Sequence, residues 1–130
     1  VEARAALDGQ LCEAAQKGDV AAIERLAAEG ASPNAKSNGF PVVVRAALNG
    51  HAGAVSALAR LGADLDARGS EGVTSLMWAA SSGKVECARA LLAGGADRTL
   101  RATRGWGKGK TALEIADEYG HAEVAALLRE

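Results

Sequence analysis

Apolar and polar positions recur along the chain in four similar stretches. They cover residues 11–35, 43–67, 76–100 and 113–130. In each, a run of small residues leads to a polar pair and a glycine, and a second apolar run follows. Apolar positions in the second run are three or four residues apart, which places them on one face of a helix. The pattern therefore predicts four helix pairs, with these leucines buried between them: Leu26, Leu58 and Leu91.

Glycines divide these stretches at nearly constant intervals. The inner glycines are 32, 33 and 37 residues apart and are Gly18, Gly50, Gly83 and Gly120. The second set begins the Gly-Ala pairs at Gly30, Gly62 and Gly95. A glycine that adopts a positive φ commonly ends a helix, so both sets mark predicted helix ends. A period near 33 with two helices per unit is typical of a stacked repeat architecture.

The motifs within each unit resemble those of ankyrin repeats. The third unit carries "GVTSLMWAASSGK" and the fourth "GKTALEIADEYGH", where that family favours G-x-T-P-L-H-x-A-A-x-x-G-H. In the second unit, "GFPVVVRAALNGH" keeps the glycines and the Ala-Ala pair and departs from the T-P-L-H core. The resemblance covers nearly all of residues 10–130.

The resemblance implies an all-α fold, an ankyrin-repeat solenoid of helix-turn-helix units linked by β-hairpin-like turns. We expect a single domain over residues 1–130. Its repeats are expected at about 8–35, 36–68, 69–101 and 102–130, the last with a four-residue insertion in its turn. Residues 1–7 are expected to form a leading helical turn, with Asp8 as the N-cap of the next helix.

Composition narrows the function classes. Hydrophobic residues make up 48% and aromatic residues only 3%, which favours a core of small aliphatic side chains in closely packed helices. The net charge of −1 gives no overall attraction to nucleic acid or to anionic membranes. There is no apolar run long enough to cross a bilayer. Two cysteines without a CxxC motif favour a reducing compartment, so we expect an intracellular protein, cytoplasmic or nuclear. We also expect a monomer.

The stretch "RATRGWGKGKTALEIA" (101–116) contains the Gly-Lys-Thr ending of a phosphate-binding loop. That loop needs a glycine five residues before its Gly-Lys pair, and Arg104 stands there instead. The glycine and threonine also match the G-x-T of the repeat motif. What remains is a basic finger, residues 98–110, with no acidic residue and with the cations Arg98, Arg101, Arg104, Lys108 and Lys110. Trp106 at its tip either contacts a partner or folds back over the last helix pair.

We find no residues arranged for catalysis. His51 and His121 follow the inner glycines, as in the repeat motif, and lack neighbouring metal ligands in the sequence. Cys12 and Cys87 are expected to be buried small apolar residues. We therefore expect no enzyme activity, no small-molecule substrate, no cofactor and no metal site.

The resemblance implies protein binding on a concave surface formed by turn tips and first helices. Trp78 is the main candidate, because small serines lie three and four residues further along its helix; a core position for its ring remains the alternative. The residues mapped to this surface are Phe40, Arg45, Leu48, Asn49, Glu71, Trp78, Ser81, Ser82, Arg101, Arg104, Trp106, Lys108 and Tyr119. The expected partner is a protein or peptide segment, with acidic groups held by the finger. A second hypothesis is a binder of acidic or phosphate-bearing ligands (nucleic acid, phosphoinositide) through finger 98–110, although the net charge disfavours nucleic acid.

Overall fold

The computed structural model describes the backbone of residues 2–130 and the side chains of residues 4–130; Val1 lies outside the described residues. Within that part, the eight α-helices are α1 (Glu2–Lys17), α2 (Val20–Ala28), α3 (Val42–Leu48), α4 (Ala52–Arg60), α5 (Ser75–Ser82), α6 (Val85–Ala93), α7 (Ala112–Glu118) and α8 (Ala122–Arg129). A short antiparallel hairpin, β1 (Lys36–Ser37) and β2 (Phe40–Pro41), precedes α3. A 3₁₀ turn covers Gly105–Gly107.

The helices form two layers. In one layer the first helices of the four pairs pack in the order α1, α3, α5, α7; in the other the second helices pack in the order α2, α4, α6, α8. Each helix also packs against its own partner in the pair. This arrangement confirms the all-α helix-turn-helix solenoid.

The core lies between the two layers and consists mostly of alanine, valine and leucine. Leu26, Leu58 and Leu91 on the second helices are at most 2% exposed, as the three- and four-residue spacing predicts. Full burial of such a side chain contributes about 1.5–3 kcal/mol. Because each pair buries this face only against its neighbours, the stability of the chain depends on stacking.

Threonines of the repeat motif begin two of the first helices. Thr74 Oγ1 accepts a hydrogen bond from Met77 N at the start of α5. Thr111 Oγ1 accepts from Glu114 N at 3.2 Å, while Glu114 Oε1 accepts from Thr111 N at 2.9 Å. The second arrangement is a complete capping box, which satisfies amides that a helix start leaves without partners.

The residue after the inner glycine contacts the preceding pair in the second, third and fourth units. The His121 ring packs over Gly83, and its Nε2 lies 3.1 Å from Ser81 O. His51 packs over Gly18 in the same way. Both histidine rings therefore pack against the preceding helix pair.

Side-chain oxygens of the turns also link successive pairs. Asn34 Oδ1 accepts from Asp64 N at 2.7 Å, and Asp66 Oδ1 accepts from Asp97 N at 2.8 Å. Asp8, which lies in α1, makes a comparable bond within the first pair, where its Oδ1 accepts from Ser32 N at 2.8 Å.

The predicted N-cap role of Asp8 is therefore wrong. Helix α1 runs without a break from Glu2 to Lys17, so Asp8 lies in its interior, where backbone amides already have helical partners. Its carboxylate instead bonds the turn that follows α2. The expected leading turn is part of the same helix from Glu2 onward, and Val1 lies outside the described residues.

The basic finger is held by its own backbone. Ala102 N donates to Lys110 O at 3.0 Å, and Gly109 N donates to Ala102 O at 2.8 Å. The 3₁₀ turn lies between these bonds and holds Trp106. The finger therefore presents its tryptophan from a hydrogen-bonded loop next to α7.

Candidate functional site

Every Phe, Trp and Tyr side chain of the chain belongs to one continuous row, which we call the aromatic row: Phe40, Trp78, Trp106 and Tyr119. Ring centroids are 6.4 Å apart for Phe40 and Trp78, and 5.3 Å apart for the two tryptophans. The Trp106 and Tyr119 centroids are 6.1 Å apart. Edge-to-face pairs at these distances contribute about 0.5–1.5 kcal/mol each beyond area burial.

The row crosses three helix pairs on the side of the turns and first helices. Phe40 comes from β2, Trp78 from α5, Trp106 from the 3₁₀ turn, and Tyr119 from the end of α7. No member lies on a second helix. The finger makes the row continuous, because it places Trp106 between Trp78 and Tyr119.

The rings are neither fully buried nor free. Phe40, Trp78 and Trp106 are half-buried, and Tyr119 is 47% exposed, the largest exposure of a big hydrophobic side chain in the described part. The sequence left open whether each tryptophan ring is exposed or packs inward. Each ring packs on its neighbours and keeps part of its surface in solvent, so the row is a preformed apolar strip.

Trp78 lies at the centre of this strip. Its Nε1 is buried and has no hydrogen-bond partner among the described residues. Ser81 Oγ donates to Trp78 O at 2.9 Å, so this predicted surface serine is engaged within its own helix. Ser82 is exposed at the end of α5.

Arg45 closes the other end of the row. Its Cζ atom lies 5.3 Å from the centre of the Phe40 ring, in cation–π contact. Arg45 Nη2 donates to Ser37 O at 2.6 Å, and Arg45 O accepts from Asn49 Nδ2 at 2.8 Å. Leu48, on the same helix, is half-buried. The guanidinium is thus fixed against the hairpin.

Three of the five finger cations bond within the chain. Arg98 Nη1 donates to Leu128 O at 3.0 Å. Arg101 Nη1 donates to Gly109 O at 2.8 Å and pairs with Glu114 at 3.0 Å. Lys110 Nζ forms an ion pair with the Glu118 carboxylate. The hydrogen bond from Thr111 N, and then the charge of Arg101, lower the pKa of the Glu114 carboxyl.

The other two finger cations are exposed and have no bonding partner among the side chains of residues 4–130: Arg104 and Lys108. Glu71, on the neighbouring turn, is also exposed, and a Cβ atom placed on Gly105 would lie 3.3 Å from its Oε2. Of the basic finger, therefore, Arg104 and Lys108 carry the charge that remains available to another molecule.

The sequence analysis missed two cations on neighbouring turns, Lys36 and Arg68. Together with Arg104 they line one cleft. A signal was present, because each follows the glycine of a Gly-Ala pair, Gly30 or Gly62, by six residues.

The two cysteines are buried, and burial raises the pKa of both thiols, Cys12 and Cys87. A raised pKa leaves little thiolate near neutral pH, so neither is arranged as a nucleophile. In the described residues, no three His, Cys, Asp or Glu side chains come together as metal ligands. None of the helices from residue 2 onward is long and apolar enough to cross a membrane.

The chain matches a known protein family. A family model described as ankyrin repeats, in three copies, matches residues 11–102. The matched segment contains Phe40 and Trp78, while Trp106 and Tyr119 lie beyond it.

Proposed function

Because the chain belongs to the ankyrin-repeat family, whose members are generally protein–protein interaction modules, we propose that it is a non-catalytic module that binds a protein partner along the aromatic row. The partner segment lies across the turns and first helices from Phe40 to Tyr119. It covers the ring surfaces that remain in solvent.

The observation that carries this proposal is the collection of all four Phe, Trp and Tyr residues in one partly exposed row. Aromatic residues are over-represented among the side chains that dominate binding energy. Rings already packed on one another lose little conformational freedom when a partner covers them. The row is therefore suited to binding an apolar segment without reorganisation.

Cations flank the row and favour acidic groups at the ends of the partner segment. Arg45 stands at the Phe40 end, and Arg104 and Lys108 lie on either side of Trp106 in the finger. Charges beside an apolar binding surface raise association rates and set orientation more than they raise affinity. The apolar row supplies most of the binding free energy in this proposal.

Affinity capture from the native cell with matched variants tests the proposal. Tyr119→Ala removes the most exposed ring, and Leu92→Ala truncates a half-buried side chain on α6, in the layer without the row. Truncation of an aromatic side chain that dominates binding costs at least about 2 kcal/mol, a factor of about 30 in affinity. We expect Tyr119→Ala to lose partners that wild type and Leu92→Ala retain, as quantified by mass spectrometry.

Circular dichroism of each variant provides the folding control. Identical captured proteins for wild type, Tyr119→Ala and Trp106→Leu would rule out the row as the binding surface.

A further inference from the structure

A cleft of about 350 Å³ lies between the tips of three successive turns. Three cations from three different turns line it: Lys36, Arg68 and Arg104. The remaining lining residues are glycines and two hydroxyl residues, Ser70 and Thr103, and no carboxylate is among them. We call this feature the three-cation cleft.

The turns approach closely because glycine stands at their contact points. Thr103 N donates to Gly72 O at 3.0 Å, and Ser70 N donates to Gly39 O at 3.0 Å. Gly72 has a φ of +72°, and a Cβ atom there would lie 2.5 Å from Thr103 Oγ1. These contacts bring side chains more than thirty residues apart in the sequence around one opening.

Among the described side chains, no carboxylate forms a salt bridge with a cation of the cleft, and the Glu71 side chain on the same turn is not part of the lining. Arg68 Nη1 donates to Gly72 O at 2.9 Å, which fixes the guanidinium and leaves its other nitrogens free among the described residues. Lys36 and Arg104 have no bonding partner in the part of the chain that the structure describes. The concentration of charge contrasts with a net charge of −1 for the whole chain.

We propose that the three-cation cleft binds the phosphoryl group of a phosphoserine or phosphothreonine in the partner segment. This inference rests on the proposed function, because it places the phosphorylated residue in the segment that lies along the aromatic row. A phosphoryl group carries close to two negative charges and three strong acceptor oxygens, which match two guanidinium groups, an ammonium group and two hydroxyls.

The cleft and the row are continuous. Gly39 lines the cleft and Phe40 follows it in the row; Arg104 lines the cleft and Trp106 is two residues further on. A Cβ atom on Gly69, in the cleft wall, would lie 3.5 Å from Phe40 Cδ1. One short segment therefore reaches both features.

A single group is favoured over nucleic acid or a membrane surface. Both of those present many phosphates and are bound by extended basic surfaces. Here three cations line one cleft. A pairing with a single dianion uses all of them.

Titration with N-acetyl-O-phosphoserine amide, followed by amide NMR shifts, tests the cleft without any partner. We expect saturable shifts at Gly39, Ser70, Gly72 and Thr103, and none with N-acetylserine amide. Lys36→Gln should weaken the phosphoserine probe about tenfold, because a charge-assisted contact is lost, and added salt should weaken it as well. The matched control is Lys108→Gln, an exposed lysine of the finger outside the cleft, which should change affinity by less than about twofold.

Three results would overturn the inference. They are the absence of shifts at the cleft, an equal effect of Lys36→Gln and Lys108→Gln, and equal affinity for N-acetylglutamate amide. Arg104→Gln provides a second variant in the same comparison, and the amide spectrum of each variant reports whether it is folded.

Binding selection from a degenerate peptide library with one fixed phosphoserine separates this inference from the proposed function. The comparison is an otherwise identical library with serine at the fixed position. One outcome is that phosphopeptides are enriched, that Lys36→Gln abolishes this enrichment and that Tyr119→Ala does not change it. This outcome would support the cleft as a phosphoryl site and contradict the row as a binding surface. A second outcome is that peptides from both libraries are enriched and that only Tyr119→Ala abolishes this enrichment. This outcome would contradict the cleft as a phosphoryl site and support the row as a binding surface. Binding to phosphatidylinositol-phosphate vesicles without enrichment of phosphopeptides would assign the cleft to a membrane surface and overturn the inference.

Discussion

Replacing Gly83 with alanine places a methyl group in the contact between the third and fourth helix pairs. Gly83 ends α5 with a φ of +68°, and a Cβ atom there would lie 2.6 Å from His121 Nδ1. Two costs follow from this geometry. The left-handed backbone is unfavourable for alanine, and the histidine ring has to move away from its bond with Ser81 O.

Two other inner glycines allow the backbone cost to be measured without the steric cost. Gly120 has a φ of +77° and no atom within 4 Å of its Cβ position, so Gly120→Ala carries the backbone cost alone, about 1–2 kcal/mol. Gly50 faces only the flexible side chain of Lys84, at 3.6 Å, and Gly50→Ala should match it. Gly83→Ala adds an overpacking cost of about 1–3 kcal/mol, which gives a total of about 2–5 kcal/mol.

Urea unfolding followed by far-ultraviolet circular dichroism measures these differences, provided that the slope against urea is the same for all variants. The double variant Gly83→Ala/His121→Ala completes a double-mutant cycle for the contact between these two residues. With the ring removed, Gly83→Ala should cost no more than Gly120→Ala does, so the coupling between the two sites equals the overpacking cost.

Equal losses for Gly83→Ala and Gly120→Ala, or additive effects in the double variant, would refute this reasoning. Either result would mean that the His121 ring does not pack over Gly83 and that the last two helix pairs do not stack as described.

Further predictions concern the caps, the row and the cysteines. Thr111→Ala should lower the free energy of unfolding by about 1 kcal/mol in the same urea assay, because α7 loses its capping hydroxyl. Trp106→Ala should lower it by about 1–3 kcal/mol, because two aromatic contacts are lost. The thiols of Cys12 and Cys87 should react with a disulfide reagent only upon unfolding, as thiol absorbance measures with and without urea. Because burial raises the pKa of both thiols above that of an unfolded thiol, the unfolded thiols ionise first. The free energy of unfolding should therefore fall as pH rises through the ordinary thiol pKa of about 8.5; urea titrations at pH 8 and pH 10 check this.

The repeating pattern predicts most of the fold because every unit must bury the same helix faces. Leu58 and Leu91 stand at equivalent positions and both are buried. A residue type that favours an N-cap does not locate the start of a helix when the helix continues through that residue. Asp8 is followed by a helical pattern, and only the turn after α2, distant in sequence, decides that its carboxylate bonds Ser32.

The candidate site was less predictable, because it depends on contacts between turns. Helical position suggests Trp78, but the pairing of its ring with Trp106 depends on the path of the finger, which has no counterpart in the other units. Residue type alone also does not show which polar groups stay available. Arg101 and Arg104 look alike in the sequence, yet the Glu114 carboxylate engages only the first.

The central claim, that a partner lies along the aromatic row, is tested most directly by site-specific photo-crosslinking in the native cell. A benzoylphenylalanine side chain replaces Tyr119 in the row, or Leu92 on α6 as the control. The account predicts a discrete crosslinked partner from position 119 and none from position 92. Crosslinking of a partner from position 92 alone would contradict it.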